Sequence, residues 1–225
     1  PVAIDPDAQL GAVYRVDTAS LMITGKCTVG YQPDELEIVG EYIYVANSGG
    51  YRAPKYDYTV SVVEMYGMTQ VEKIPVGINL HRIEADKYGK LWVTSRGNYG
   101  SVRSKMFVLE RENKFSHKMV VTDTLDIPCS EMCIQGDSLY FYSVEWNNQE
   151  ERNNITYGII NVRTRDLITD HFITDGTEKN IEIPYGINVN PANGDIYVTD
   201  AKNYVSSGAL HCYSREGKKK WSIRA

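Results

Sequence analysis

The chain has 225 residues, 42% hydrophobic and 24% charged, an ordinary globular composition with enough apolar residues to bury a core in one large domain or two small ones. A net charge of −5 with Lys and Arg scattered along the sequence excludes a nucleic-acid partner gripped through its phosphates. No apolar run approaches the roughly 20 residues of a membrane helix, so no transmembrane segment of that kind is expected.

Residues 1–30 supply two predicted strands, 12–17 and 21–29, of the kind that end a four-stranded unit. From there the chain repeats itself. The words IYVAN, LWVTS, LYFYS and IYVTD place Ile43, Leu91, Leu139 and Ile196 in register at spacings of 48, 48 and 57 residues. A fixed period of that length marks a repeat architecture. The unit 31–77 carries predicted strands at 35–38, 42–46, 59–65 and 70–74, and the unit 78–124 at 81–85, 91–94, 105–110 and 118–121. The unit 125–183 carries them at 131–134, 138–143, 157–162 and 167–173, and the unit 184–225 at 186–189, 195–199, 209–213 and 219–223. Val, Ile, Tyr and Leu dominate these runs, and turn clusters such as Val39-Gly40-Glu41 and Gln135-Gly136-Asp137 bound them.

Repeated four-stranded units of this size predict an all-β fold, a β-propeller of four-stranded antiparallel blades within a single domain. The second strand of each unit is continuously apolar, as a strand covered on both faces must be. A β-sandwich with fortuitous periodicity is the competing architecture. About four and a half blades are present, and nothing in residues 1–30 provides two inner strands for the first. The expectation is therefore a piece of a larger ring of roughly seven or eight blades, whose open edges would otherwise invite association.

Long connections on one face are a functional hint, since a scaffold does not need them. The second-to-third connections are predicted at 47–58, 95–104, 144–156 and 200–208, against short third-to-fourth turns at 66–69 and 214–217. They carry Tyr51 and Arg52, then Arg96, Asn98 and Tyr99, then Trp146, then Tyr204. Rigid aromatics with Arg and Asn suit a recognition surface, and 17 Tyr against four Phe fit the same purpose. Tyr51, Tyr99 and Tyr204 recur in register, so packing against a neighbouring blade is their other reading. The starts of the innermost strands place His81, Arg82, Glu131 and Tyr185 near the same face. His81 with Glu131 could make an acid–base pair of a lyase or hydrolase, the alternative to a binding site or a protein-interaction scaffold.

No catalytic nucleophile, cofactor or metal motif accompanies these residues. Asn47-Ser48-Gly49-Gly50 opens no helix, so it is not a phosphate cradle. His117, His171 and His211 fall on predicted outer strands and read as structural. Cys27, Cys129, Cys133 and Cys212 lack the paired spacing of a zinc site. Cys129 and Cys133 lie four apart in one predicted strand, about 13 Å when extended, and so cannot pair.

The IYVAN, LWVTS and IYVTD words resemble the YVTN family of β-propeller repeats and the related YncE-like proteins. The block YGINVNPANGDIYVTDAKNYVSSGALHCYSREGKKKW, residues 185–221, resembles the DUF5074-type propellers of Bacteroidetes cell-surface lipoproteins. Some members of that group bind cobalamin and pass it to an outer-membrane transporter. The resemblance implies a lipid-anchored protein at the cell surface or in the periplasm, a small-molecule ligand with cobalamin as the named candidate, and a surface protein such as that transporter as partner. It transfers no ligand residue to this chain.

Overall fold

The structure is a computed structural model and describes residues 9–147 and 149–224. Its strands pair strictly in chain order. β1 (Leu10–Val16) and β2 (Ile23–Tyr31) form a two-stranded sheet. β3 (Pro33–Val39), β4 (Tyr42–Asn47), β5 (Thr59–Glu64) and β6 (Thr69–Pro75) form a four-stranded one. The next joins β7 (Leu80–Ala85), β8 (Leu91–Ser95), β9 (Lys105–Arg111) and β10 (Met119–Leu125). Then come β11 (Glu131–Gln135), β12 (Ser138–Asn147), β13 (Arg152–Asn161) and β14 (Leu167–Thr169), followed by β15 (Pro184–Val189), β16 (Ile196–Asp200), β17 (Ala209–Tyr213) and β18 (Lys219–Arg224). All these pairings are antiparallel, and two compact units divide the chain, Pro1–Pro128 and Cys129–Ala225. No helix among the described residues is long and apolar enough to cross a membrane.

In the first unit β4 explains why its sequence is apolar without alternation. Tyr44 and Ala46 face Val60, Val62, Leu80, Ile83, Leu91 and Val93, while Ile43 and Val45 turn the other way onto Val13, Cys27, Val29 and Met68. Each fully buried side chain of this size is worth about 1.5–3 kcal/mol, so a single polar substitution on either face would be costly. The second unit buries Tyr142, Tyr157, Ile187, Val189, Ile196, Val198 and Tyr213 together, whereas Thr199 on the other face of β16 is exposed.

The polar residues that close the first, second and fourth apolar words tie down backbone. Asn47 is fully buried, accepts from the Gly30 N–H at 3.1 Å and donates to Thr59 O and Ser61 Oγ at 3.0 Å. Ser95 Oγ donates to Ile78 O at 2.6 Å, and Asp200 accepts the N–H groups of Glu182, Ile183 and Lys202 at 3.1, 3.0 and 2.9 Å. In each case the partner includes the segment leading into the first or second strand, so the word anchors the connection as well as the sheet.

Three expectations need correction. The connection at 144–156 is mostly strand: β12 runs on to Asn147 and β13 begins at Arg152, with Trp146 opposite Asn153. The added residues are polar because backbone pairing alone holds an exposed hairpin arm, and polar residues mask a strand in sequence. β14 is only three residues long, and His171 meets Tyr157 through an isolated parallel bridge instead of continuing a strand. Cys129 precedes β11, so it does not share a strand with Cys133; all four cysteines are free thiols.

We predict that Asn47→Ala destabilises the protein by about 3 kcal/mol, because it orphans buried Gly30 and Thr59 backbone groups. Tyr51→Ala, at an exposed position, should stay within about 0.5 kcal/mol of the parent. Urea denaturation followed by circular dichroism measures both, and equal midpoints for the two variants would refute the anchoring role.

Candidate functional site

The first strands carry the charged groups, and in the first unit they build a connected network. β3 directs Glu35 and Glu37 towards β7, where their carboxylates accept the N–H groups of Ile83 and Ala85 at 2.8 and 3.3 Å. Each of those bonds spans 48 residues, the spacing that separates the first three apolar words. Arg82 Nη1 lies 3.6 Å from Glu35 Oε1. Asp34 Oδ2 receives two contacts, one from His81 Nδ1 and one from Arg96 Nη1, both at 2.9 Å. Arg96 Nη2 closes the ring at 3.1 Å from His81 Nε2.

Burial pushes the Asp34 carboxyl up, but the His81 hydrogen bond and the charges of His81, Arg96 and Arg82 outweigh it and hold the group below its ordinary range. His81, only 6% exposed, is held below its usual value, by burial first, with the Asp34 hydrogen bond opposing and the Arg96 charge reinforcing. Both its ring nitrogens are engaged. A general base needs a lone pair directed at substrate, and the His81 lone pair is directed at Arg96.

The loops on this unit display aromatics around the network. Tyr51 sits in the short 3-10 turn Gly50–Arg52 and is 55% exposed, and Arg52 lies with its Cζ 3.6 Å from the centroid of the Tyr31 ring. Tyr99 is 77% exposed and has φ +57°, the left-handed region that bulky side chains rarely occupy. Its turn is held by Asn98, whose Oδ1 accepts from the Gly100 and Val102 N–H groups at 3.0 and 2.9 Å. Asn98 is thus occupied inside its own turn. That role follows from the Asn-x-Gly spacing, a turn signal available in the sequence.

In the second unit Tyr185 and Tyr204 are exposed and meet edge to face at 6.1 Å between ring centroids. Tyr204 repeats the left-handed backbone of Tyr99, with φ +59° and 67% exposure. Trp146 stands exposed on the β12 arm, and Glu131 opens β11. Beneath Tyr204, Lys202 Nζ binds Asp200 Oδ2 at 2.6 Å and Glu182 Oε1 at 3.1 Å, and a recess of about 260 Å³ is lined by Glu182, Lys202, Ser206, Ser207 and Arg224. Residue-type reasoning missed the pairing of Lys202 with Asp200, although both belong to the last apolar word, IYVTD, and the turn after it. A larger, apolar groove of about 480 Å³ runs along Gly186, Ile187, Asn188, Tyr197, Thr199 and Leu210 on the last sheet.

The remaining histidines have structural settings. The His117 ring stacks on Tyr42 at 4.7 Å between centroids and its carbonyl accepts the Tyr44 hydroxyl. His171 contacts Asp170 at the surface, and buried His211 lies 3.8 Å from Asp200.

No family model matches the chain, and no curated protein matches it significantly. Among solved structures it is similar to Kuenenia stuttgartiensis hydrazine synthase, with a TM-score of 0.69 and 16% identity over 95% of this chain and 59% of that one. It is also similar to Kluyveromyces lactis Hsv2, with a TM-score of 0.51 and 13% identity over 89% of this chain and 54% of that one. At such identities the likeness bears on the fold alone, and the chain spans less than two thirds of either structure. With the sequential four-stranded sheets, it supports a β-propeller-like all-β fold.

Asp200 supplies a pH prediction for the second unit. Burial raises its pKa, but Lys202 and the N–H groups of Ile183, Lys202 and Glu182 more than offset this and hold it at about 2. A depressed carboxylate stabilises the fold above its ordinary value of 3.8 and loses that contribution as pH falls towards about 2. Stability should therefore decline across this interval in the wild type, and Asp200→Asn should flatten the decline. Parallel acid profiles in urea titrations of the two proteins would contradict the assignment.

Proposed function

We propose that the chain belongs to a larger β-propeller of roughly seven or eight blades that binds a ligand without chemical transformation, at the cell surface or in the periplasm. The observation that carries the binding reading is the exposure of Tyr51, Tyr99 and Tyr204 at the connections after the first, second and fourth apolar words, two of them on left-handed backbone. Exposed aromatics bring large contact area at small entropic cost. A left-handed conformation disfavours a Tyr by about 1–2 kcal/mol where Gly would fit freely, and strain of this kind is expected where a side chain serves a ligand.

Cobalamin is the ligand we put forward, on the resemblance of residues 185–221 to propellers of which some bind it, and an outer-membrane transporter is the corresponding partner. Lipid anchoring of the full-length protein is part of the same proposal. The corrin ring and its amides suit aromatic faces with Arg and Asn neighbours. The acid–base alternative on His81 and Glu131 loses support, because the His81 ring is already bonded at both nitrogens.

The larger ring is supported by apolar surface next to incomplete structure. Among the described residues, β1 and β2 form a sheet of two strands beside a four-stranded sheet whose Leu36 and Ile38 remain exposed. Two additional inner strands would cover such residues.

Equilibrium dialysis against cyanocobalamin, read by its own absorbance, tests the ligand. Tyr99→Gly and Tyr204→Gly together should weaken binding at least tenfold, about 1.4 kcal/mol, while stability is unchanged or rises by about 1 kcal/mol as strain is relieved. Absence of cyanocobalamin binding to the folded wild-type chain would remove this ligand, and a double variant that binds like the parent would remove the tyrosine surface.

A further inference from the structure

The Arg96 guanidinium is held by two acceptors, and one of them is a titratable ring nitrogen. Nη1 donates to Asp34 Oδ2 at 2.9 Å and Nη2 to His81 Nε2 at 3.1 Å, while His81 Nδ1 meets the same Asp34 oxygen at 2.9 Å. Arginine has no acceptor, so Nε2 must offer its lone pair and Nδ1 must carry the proton. A second proton, on Nε2, would set one donor against another at 3.1 Å and place two positive charges side by side.

We propose that Asp34, His81 and Arg96 form a proton-controlled latch on the turn that carries Tyr99, closed while His81 is neutral and opened when it is protonated. Its relevance to ligand capture rests on the binding reading above, but the latch itself does not.

The placement makes the coupling direct. Arg96 immediately follows β8, and its side chain reaches across to β3, tying the base of the turn to the neighbouring sheet. Backbone contacts secure the other side of that base: Arg96 N–H donates to Asn79 O at 3.0 Å, and Asn79 Nδ2 donates to Gly97 O at 3.0 Å. Losing the imidazole acceptor leaves the guanidinium, whose side chain is already 34% exposed, held across the sheets by Asp34. Protonation also turns a locally balanced Asp–Arg pair into a net cationic patch two to three residues before Asn98 and Tyr99.

The charged surroundings of His81 within the first unit are Asp34 and Glu35 on β3, Arg82 beside it on β7, and Arg96 past β8. β4 also packs on β7, and its ionisable side chains are Tyr42 and Tyr44, the latter bonded to the His117 carbonyl. Burial, opposed by Asp34 and assisted by Arg96 and Arg82, keeps the imidazole neutral to a lower pH than its ordinary 6.5. A lowered histidine costs the fold nothing above 6.5. Stability falls as pH drops from 6.5 through the folded value, because the unfolded chain takes up the proton first.

Nitrogen-15 NMR of the whole chain, without ligand, between pH 8 and pH 5 provides the test. His81 should start as the Nδ1–H tautomer and titrate with a midpoint below 6.5, and the Gly97, Asn98 and Tyr99 amide shifts should follow the same midpoint. In His81→Gln the carboxamide can donate to Asp34 and accept from Arg96 at every pH, so those amide shifts should stay flat. An Nε2–H tautomer at pH 8, turn amides indifferent to the His81 titration, a His81 that gains its proton only on unfolding, or a Gln variant that repeats the wild-type profile would each overturn the latch. Should the variant fail to fold, the wild-type tautomer and midpoints decide alone. Because no ligand is present, a failed latch is distinguishable from a failed cobalamin assignment.

Discussion

Every sheet among the described residues is built in chain order, so each first strand of a four-stranded sheet has one ladder partner and one bare edge. Backbone N–H groups on such an edge need acceptors. In the first unit β3 supplies them as carboxylates: Glu35 and Glu37 take the Ile83 and Ala85 amides of β7. That requirement sets which way β3 faces, since the same alternation that aims its acids at β7 leaves Leu36 and Ile38 on the other side, half exposed. It also places a row of negative charge where Arg82 and Arg96 can be drawn in and where Asp34 can hold His81. The candidate site is thus a by-product of satisfying a sheet edge.

A histidine in that setting is changed in character. Burial and a neighbouring arginine favour the neutral ring, while Asp34 orients it, and the result is a relay of hydrogen bonds with no lone pair left for substrate. The fold leaves Tyr51, Tyr99 and Tyr204 uncovered at the connections instead. Glu131 and His81 stand in different compact units.

The apolar words serve two purposes that pull on different residues. Their hydrophobic members fill the space between sheets, as Tyr44 and Ile43 do on opposite faces of β4. Their closing polar members, Asn47, Ser95 and Asp200, are buried and bonded to backbone of the adjoining segments. The repeated word therefore holds each connection at a set place on the sheet, and the exposed tyrosine a few residues later inherits that position.

The four-stranded period, the all-β class and the covered second strands β4, β8 and β12 could be read from the chain alone, because apolar runs and turn residues are local signals that recur at a fixed spacing; β16 differs, with Thr199 exposed on one face. Recurrence likewise singled out Tyr51, Tyr99 and Tyr204, but whether they pack or face solvent depends on what lies over them, and only the folded chain decides that. The β12–β13 hairpin escaped sequence reading because its arm, from Glu145 to Asn154, is polar and is held by backbone pairing, which leaves no trace in residue type. The pairing of Asp34, His81 and Arg96 was also beyond sequence. Those residues are separated by 47 and 15 positions, and their hydrogen bonds exist only because β3 and β7 bring two first strands side by side.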